Sequence, residues 1–244
     1  MGVVIDFEYK TWGPGGTTPN VLADGLSVFL YNGSVASGSF LSGSFGGGLG
    51  YAGTSNGSGT AATGGYVGVG FDEYGNFSST GWGTPGTGAG SSNILQSIAL
   101  RGPSNSCTYL GGTAANLTNS GTSNVDANLV GKSVAYTTLT STRPSDAQYY
   151  RKARVALTPV LVNGTPTNFL VSVYLATTSN GPFYSVLTNL PVGRVPPGNL
   201  LKIGFAAGTG SAAANHEIRN VSISTLVDFA LTKTVNKTVV NSVD

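Results

Sequence analysis

An apolar run that ends in a polar turn lies at residues 66–77 and reads YVGVGFDEYGNF. Its β-branched and aromatic residues predict a strand, and the acidic and amide residues after them predict a loop at the strand's end. A second run, LADGLSVFL at residues 22–30, places an acidic turn before the strand. Neither stretch carries the apolar spacing of an amphipathic helix. These two stretches therefore decide the class of fold, which is all-β.

Alternating apolar residues extend the same pattern along the chain. Ile5, Phe7 and Tyr9 would share one face of a strand, and the apolar residues of 169–175 repeat that spacing. Long loops or short connecting strands are predicted for the Gly/Ser/Thr/Asn-rich regions 32–65, 79–92 and 111–124. Many strands separated by such turns predict a β-sandwich.

The composition excludes several classes of protein. Only 9% of the 244 residues are charged, against about 25% on average, so a charge-laced helical protein is excluded. The net charge of +2 without a Lys/Arg cluster predicts no nucleic-acid partner, because phosphate binding needs a basic patch. No apolar run approaches the roughly 18 residues of a membrane span, so no membrane insertion is expected.

One principal domain is expected to cover residues 1–226, because the length fits a single large all-β unit. The composition changes at 227–235, which reads VDFALTKTV and resembles the first strand of the Ig-like repeats of large bacterial surface proteins. We therefore expect 227–244 to be a linker or the start of a following repeat. Residues 3–8 are charged at every second position from Asp6, unlike a signal peptide, so targeting signals are expected elsewhere in a longer protein.

Acidic residues are scarce, and three of the ten, Asp24, Asp72 and Glu73, lie in strand-end loops rich in Gly and aromatic residues. The blocks are ADGL at 23–26, FGGGLG at 45–50 and GFDEYGNF at 70–77. Carboxylates accept hydrogen bonds from hydroxyls, amides donate and accept, glycine admits close backbone approach, and aromatic rings cover an apolar face. Together these groups indicate a neutral polyol such as a sugar. Each block alone is also explained as an ordinary turn.

The order of these blocks resembles the legume-type (L-type) lectin family, whose pattern includes Ala-Asp-Gly before a hydrophobic strand, Gly-Gly-x-Leu-Gly, and Phe-Asp-x-aromatic-x-Asn. A fourth segment, 202–218, resembles that family's closing strand, variable loop and His-Glu-aliphatic return strand. The resemblance covers roughly residues 3–226. It implies a concanavalin A-like β-sandwich, which is a jelly roll of two antiparallel sheets.

The resemblance also implies a carbohydrate-binding role for particular residues. Asp24 would accept hydrogen bonds from two sugar hydroxyls, and the peptide bond before it would be cis. Gly47 would offer its N–H, Tyr74 would stack on the pyranose face, and Asn76 would bond the sugar. The loop whose length tunes monosaccharide preference in the family corresponds here to Ser211 and Ala212.

Calcium is the candidate cofactor that the resemblance implies. Asp72, the Tyr74 carbonyl and Asn76 would bind it, but calcium takes about 6–8 oxygen ligands. The missing acid would have to be replaced by Glu73, Asp126, backbone or water. These residues therefore form a partial set of calcium ligands.

No transition metal is expected. The family's manganese site uses an acid two residues before the aspartate, an acid five residues after the asparagine, and a nearby histidine. Those two positions hold Gly70 and Gly81, and no histidine follows until His216. His216 is instead expected to be a hydrogen-bonded structural residue.

Two other features have a simple interpretation. Cys107, the one cysteine, has no Cys or His partner in the sequence, so neither an intramolecular disulfide nor a catalytic thiol is expected. The densest basic stretch, 143–154, is expected to be a solvated strand edge, where charge discourages pairing between sheets.

The predicted function is that of a carbohydrate-binding (lectin) module in a secreted or cell-surface bacterial adhesin. Its partners would be glycans or surface polysaccharide, and it would form part of a larger multidomain surface protein. It is not expected to be an enzyme, because concanavalin-like hydrolases carry Glu-x-Asp-x-Glu and the nearest match here has Val4 in the nucleophile position. Two alternatives stay open: a structural or protein-binding sandwich that has lost sugar binding, and a glycoside hydrolase.

Overall fold

Eleven strands form the fold in the computed structural model, which describes residues 2–13, 22–83, 87–135, 137–145, 149–198 and 200–226. The first six strands are β1 (Gly2–Gly13), β2 (Gly25–Asn32), β3 (Gly65–Asp72), β4 (Ser97–Arg101), β5 (Tyr109–Gly112) and β6 (Thr137–Leu139). The remaining five are β7 (Arg151–Val162), β8 (Thr165–Ala176), β9 (Tyr184–Pro191), β10 (Leu201–Gly208) and β11 (Asn215–Leu226).

The strands form two sheets that pack face to face. The back sheet has the order β11-β1-β7-β8-β9, and the short β6 pairs in parallel with β1. The front sheet has the order β10-β2-β3-β4-β5. All strand pairs except β1–β6 are antiparallel. The predicted sandwich of two antiparallel sheets is therefore confirmed.

Helical structure includes three short 3₁₀ turns, Ser37–Ser39, Gly46–Gly48 and Ala115–Leu117. All three lie within or beside regions that were predicted to be loops. Among the described residues, no helix has the length and apolar character needed to cross a membrane.

An aromatic contact joins the two sheets at the centre of the core. The ring of Phe7 on β1 lies edge-to-face against Phe71 on β3, with 5.5 Å between centroids, and against Phe205 on β10, with 5.2 Å. Ile5, Phe7 and Tyr9 are all buried on the same face, as predicted. Such rings bury large apolar areas, and edge-to-face pairs add further stabilisation.

The outer face of the front sheet is covered by loops, and glycines in β3 make this possible. Val67 and Val69 point into the core between the sheets, whereas Gly68 and Gly70 alternate with them on the outer face. A Cβ on Gly68 would lie 2.4 Å from the Tyr51 ring, and one on Gly70 would lie 2.4 Å from the Phe77 ring. The loop aromatics therefore lie directly on the strand.

The basic stretch predicted as a solvated edge is instead central to the back sheet, so that prediction was wrong. Strand β7 lies between β1 and β8. Arg154 forms a two-pronged ion pair with Asp6 on β1, with both N–O distances 2.7 Å, and Arg151 is buried. Arg154 is held by a cross-strand partner and Arg151 donates to the Thr177 carbonyl, so these charges do not protect an edge.

Strand β11 is described as far as Leu226, which is the last described residue, so the boundary predicted at residue 226 stays a prediction. Residues 227–244 lie outside the described residues, so their assignment as a linker or following repeat stays a prediction.

A charged cluster ties the loop before β7 to β11. Arg143 donates two hydrogen bonds of 2.6 Å to the Glu217 carboxylate, and Tyr150 donates a third. Lys10 lies 3.8 Å from the same carboxylate, and the Arg219 guanidinium stacks on the Tyr150 ring at 3.4 Å. The Arg143 and Tyr150 hydrogen bonds lower the pKa of Glu217 to about 2.

Replacing the central ring by Phe7→Ala should lower the free energy of unfolding by about 3–5 kcal/mol, because it removes a buried aromatic side chain and leaves a cavity. Phe7 is 0% exposed, whereas Phe45 is 81% exposed and serves as the control. Denaturant unfolding of Phe45→Ala should differ from the unsubstituted chain by roughly 0.5 kcal/mol or less. Equal losses in the two variants would contradict the central role of Phe7.

The stability difference between the unsubstituted chain and Glu217→Gln should depend on pH. A carboxyl group with a lowered pKa stabilises the folded state above its unfolded pKa, and that stabilisation is lost as the pH falls through the folded pKa. Thermal melts should therefore show the largest difference above pH 4.5 and a shrinking difference toward about pH 2. Parallel curves for the two proteins would contradict this role of Glu217.

Candidate functional site

Three strands of the front sheet begin or end at the same level, which brings their loops together. Gly25, the first residue of β2, pairs with Asp72 at the end of β3 and with Gly208 at the end of β10. The loops that precede β2 and follow β3 and β10 therefore meet at one end of this sheet.

The backbone of Asp24 joins these loops. Its N–H donates to the Gly208 carbonyl at 2.7 Å, and its carbonyl accepts from the N–H groups of Glu73 at 2.9 Å and Tyr74 at 3.1 Å. The peptide bond between Ala23 and Asp24 is cis, as the family resemblance implied. Asp24 is therefore fixed between the end of β10 and the loop that follows β3.

The side chains of Asp24 and Asn76 meet at this point. Asn76 Nδ2 donates to Asp24 Oδ1 at 3.4 Å, across 52 positions of sequence. A Cβ on Gly47 would lie only 2.2 Å from Asn76 Oδ1, so the glycine backbone packs directly on the amide. The structure thus brings together three of the residues that the resemblance singled out.

Two polar atoms at this contact have spare hydrogen-bonding capacity. Asp24 is 5% exposed, and neither its Oδ2 nor Asn76 Oδ1 has a hydrogen-bond partner among the described residues. A Cβ on Gly210 would lie 3.4 Å from Asp24 Oδ2, and one on Gly46 would lie 3.9 Å away. Glycines without side chains therefore flank the unpaired carboxylate oxygen. Burial raises the pKa of Asp24, while the Asn76 hydrogen bond and the nearby His216 oppose that rise.

The other predicted residues are placed less closely. Tyr74 is half-buried and joins the site through its backbone N–H. Ser211 is exposed in the loop after β10, whereas Ala212 is buried and its carbonyl accepts from the Gly210 N–H at 2.9 Å. The methyl group of Ala212 thus faces the protein, and Gly210 is the residue of this loop that lies beside Asp24. A role in ligand preference for Ser211 and Ala212 stays a prediction.

Asp72 organises the turn that carries Tyr74 and Asn76. It is fully buried, and its two carboxylate oxygens accept the backbone N–H groups of Gly75 at 2.7 Å and Phe77 at 2.6 Å. Burial raises the pKa of Asp72 to about 8, and the two N–H donors oppose the rise.

A buried pair that the sequence did not reveal lies beneath the same loop. Glu73 Oε1 accepts a hydrogen bond from Thr11 at 2.7 Å and lies 3.2 Å from His216 Nε2. Both members of the Glu73–His216 pair are buried. His216 is therefore a hydrogen-bonded structural histidine, as predicted, but its partner is Glu73 and not the neighbouring Glu217. The pair joins the back sheet to the loop after β3.

Two aromatic residues beside the site were also missed. A Cβ on Gly48 would lie 3.0 Å from the Trp82 ring, and one on Gly46 would lie 4.0 Å from it. Phe45 precedes these glycines and is highly exposed. Their only signal in the sequence is the presence of a large ring in a region rich in Gly, Ser and Thr.

The residues present do not supply the calcium ligand set that the resemblance implied. Both oxygens of Asp72 already accept backbone N–H groups. Glu73 Oε1 bonds Thr11 and His216, whereas its Oε2 is buried without a hydrogen-bond partner among the described residues. Asp126 Oδ1 accepts two hydrogen bonds from Asn128 in a different loop. Among the described residues, no group of three or more His, Cys, Asp and Glu side chains is placed to hold a metal ion. Asp126 therefore does not provide the missing acid, and Glu73 is held by Thr11 and His216 through its Oε1 alone.

No family model and no curated protein matches the chain in sequence. Among solved structures, the chain is similar to a lectin from Bauhinia forficata in complex with GalNAc. The two sequences are 18% identical, the match covers 92% of this chain and 73% of that chain, and the TM-score is 0.49. In fold, this chain resembles the L-type lectins.

Two further solved structures are similar to this chain. Lectin II from Ulex europaeus is 15% identical, with 93% of this chain and 73% of that chain covered and a TM-score of 0.47. The exoplasmic/lumenal domain of VIP36, in its Ca²⁺/Man2-bound form, is 14% identical, with coverage of 96% and 68% and a TM-score of 0.43. At these identities the likeness concerns the fold alone, which is the predicted concanavalin A-like β-sandwich.

Asp72→Ala removes the carboxylate that holds the turn of residues 72–77. It should lower the free energy of unfolding by about 2–5 kcal/mol, because two buried N–H groups lose their acceptors. Asp126→Ala is the matched control, since Asp126 accepts two hydrogen bonds in an exposed turn. Its loss should cost about 1 kcal/mol or less in the same denaturant titration. A smaller loss for Asp72→Ala than for Asp126→Ala would contradict the anchoring role.

Proposed function

We propose that the chain is a carbohydrate-binding, lectin-like module whose site is centred on Asp24 and Asn76. The observation that carries this proposal is the contact of 3.4 Å between these two side chains, which come from different loops. A carboxylate and an amide side by side can accept from and donate to adjacent hydroxyl groups of one sugar ring.

The surroundings of this pair fit a neutral ligand that carries hydroxyl groups. Asp24 Oδ2 is an acceptor without a partner among the described residues, and glycines flank it on two sides. A buried acceptor that remains unpaired costs free energy, and a sugar hydroxyl that donates to it removes that cost. Tyr74 is half-buried and donates its backbone N–H to the Asp24 carbonyl, and its ring would cover the apolar face of a pyranose ring.

Two of the proteins of similar fold were solved with sugars bound. The Bauhinia forficata lectin was solved with GalNAc, and the VIP36 domain with Ca²⁺ and Man2. The proposal depends on the geometry around Asp24 and leaves the identity of the sugar open. Calcium assistance, which the resemblance implied, is not supported by the side chains around Asp72.

We further propose that the module belongs to a secreted or cell-surface bacterial adhesin, where it binds glycans or surface polysaccharide outside the cell. A site with few hydrogen bonds to a hydrated sugar is expected to bind with a dissociation constant near ~1 mM, or about −4 kcal/mol. Adhesion then needs many copies, and linked copies can raise avidity by roughly 10²–10⁴. The resemblance of 227–235 to repeats of bacterial surface proteins favours such a multidomain context.

A catalytic function is not proposed. In the nearest match to the hydrolase pattern, Asp6 is paired with Arg154 at 2.7 Å and Glu8 with Arg219 at 2.7 Å. A retaining or inverting hydrolase needs two carboxyl groups facing the scissile bond. Carboxylates held by arginine and a valine at the nucleophile position do not provide this pair.

A structural or protein-binding sandwich is the second candidate function. The incomplete calcium ligand set favours it, because the family that the sequence resembles uses ions to hold its binding loops. The two candidates differ in one measurable property, which is direct binding of a glycan at Asp24 and Asn76.

Glycan-array binding should be lost in Asp24→Ala and in Asn76→Ala. Removing one hydrogen bond to a charged group costs about 1.5–3 kcal/mol, or roughly 10–150-fold in affinity, which takes a weak binder below detection. The matched controls are Asp126→Ala and Asn105→Ala, which change the same residue types in other loops.

Circular dichroism and thermal melting should show that all four variants remain folded. Retained glycan binding in both Asp24→Ala and Asn76→Ala would refute the site. A folded, unsubstituted chain that binds no glycan on a broad array would instead favour the structural candidate.

A further inference from the structure

We propose that Arg101 is a positioning residue for the glycan site: its buried guanidinium is the fixed cation that holds the loop of residues 72–83 in shape, so that the site needs no divalent cation. The part of this proposal that concerns glycan affinity rests on the proposed function. The part that concerns the loop does not.

Arg101 is the last residue of β4 and is 0% exposed. Its Nε donates to the Phe77 carbonyl at 2.7 Å, its Nη2 to the Ser79 carbonyl at 2.7 Å, and its Nη1 to the Cys107 carbonyl at 2.8 Å. The guanidinium therefore binds three backbone carbonyl groups from two loops.

This arrangement gives the loop the kind of contact that a bound cation would give it. Backbone carbonyl oxygens are typical ligands of calcium, and a guanidinium offers five N–H donors in a fixed plane. A buried charge is tolerated only where polar groups surround it. The three carbonyl groups supply that environment, and the Phe77 ring lies 5.6 Å from the guanidinium carbon. Burial lowers the pKa of Arg101 to about 10, so the side chain stays charged at neutral pH.

Arg101 acts on Asn76 through the residues on its C-terminal side. Ser79 donates to the Asn76 carbonyl through its N–H at 3.0 Å and its hydroxyl at 2.8 Å, while its own carbonyl is bound by Arg101. Phe77 follows Asn76 directly, with its N–H bound by Asp72 and its carbonyl bound by Arg101. The backbone that presents the Asn76 amide to Asp24 is thus held by two buried side chains, the carboxylate of Asp72 and the guanidinium of Arg101.

The positions that the resemblance assigns to metal-binding acids support the same inference. A Cβ on Gly70 would lie 2.4 Å from the Phe77 ring, so the ring fills the space into which a side chain at residue 70 would extend. Gly81 has no side chain to offer, and its nearest contact from a Cβ would be Ser79 Oγ at 3.5 Å. At residue 70 the packing therefore favours the buried Phe77 ring over an acidic ligand.

The first experiment measures amide hydrogen exchange by mass spectrometry in the full chain and in Arg101→Met, Arg101→Lys and Arg154→Met. Arg101→Met removes the cation and all three donors, so exchange in residues 72–83 should accelerate by about tenfold or more while the β7–β8 hairpin keeps its protection. Arg101→Lys keeps the charge with fewer donors and should give an intermediate rate. Arg154→Met removes an arginine from the back sheet and should leave residues 72–83 unchanged.

Unchanged exchange of residues 72–83 in both Arg101 variants would overturn the proposal. Exchange that is faster by the same factor in all strands would also overturn it, because that result indicates general destabilisation of the fold. If Arg101→Met does not fold, Arg101→Lys decides in the same way. These readouts do not depend on any glycan, so they remain valid if the proposed function fails.

The second experiment uses the unsubstituted chain. After exhaustive chelation, its melting temperature and its glycan-array signal should both be unchanged, and excess calcium chloride should raise neither. A melting temperature that rises with calcium, or a glycan signal that chelation abolishes, would overturn the proposal. If the chain folds but gives no glycan signal under any condition, the proposed function fails, and the melts and the exchange data still test the role of Arg101.

Discussion

The outer face of strand β3 (Gly65–Asp72) carries almost no side-chain volume, and the rest of the structure depends on this constraint. Its inward face supplies Val67 and Val69 to the core, while Gly68 and Gly70 leave the outer face flat. Aromatic rings from distant loops can therefore pack directly on the sheet. A bulky residue at either glycine would lift the loops from the strand and separate the ends on which the site is built.

The site is a product of this packing and of buried polar contacts, more than of any single reactive group. Asp72 and Arg101 bind opposite ends of the same short turn through backbone atoms, and Glu73 reaches across to His216 on the other sheet. Asp72 and Arg101 are each matched by specific donors or acceptors, which is the condition under which burial is tolerated. The loops are thereby fixed before any ligand arrives, and preorganisation lowers the entropic cost of binding.

The fold could be predicted because its signal is local. Alternation in 5–9 and 169–175 identifies strand faces without knowledge of their partners, and motif order placed Asp24, Gly47 and Asn76 together. The Glu73–His216 pair could not be predicted, because its members are 143 positions apart and no sequence pattern links the two residues. The position of β7 was misjudged for the same reason, since the Asp6 partner of its Arg154 lies 148 positions away. The local composition of a sequence does not indicate which distant residues form ion pairs.

The close packing of Gly47 against the Asn76 amide also constrains the evolution of this protein. Any side chain at position 47 would press on that amide. A single substitution there could therefore break the Asp24–Asn76 contact on which the proposed site depends, at a place outside the core between the sheets. The sandwich can therefore survive the loss of its site, and related chains with the same architecture can diverge between those that bind and those that only scaffold.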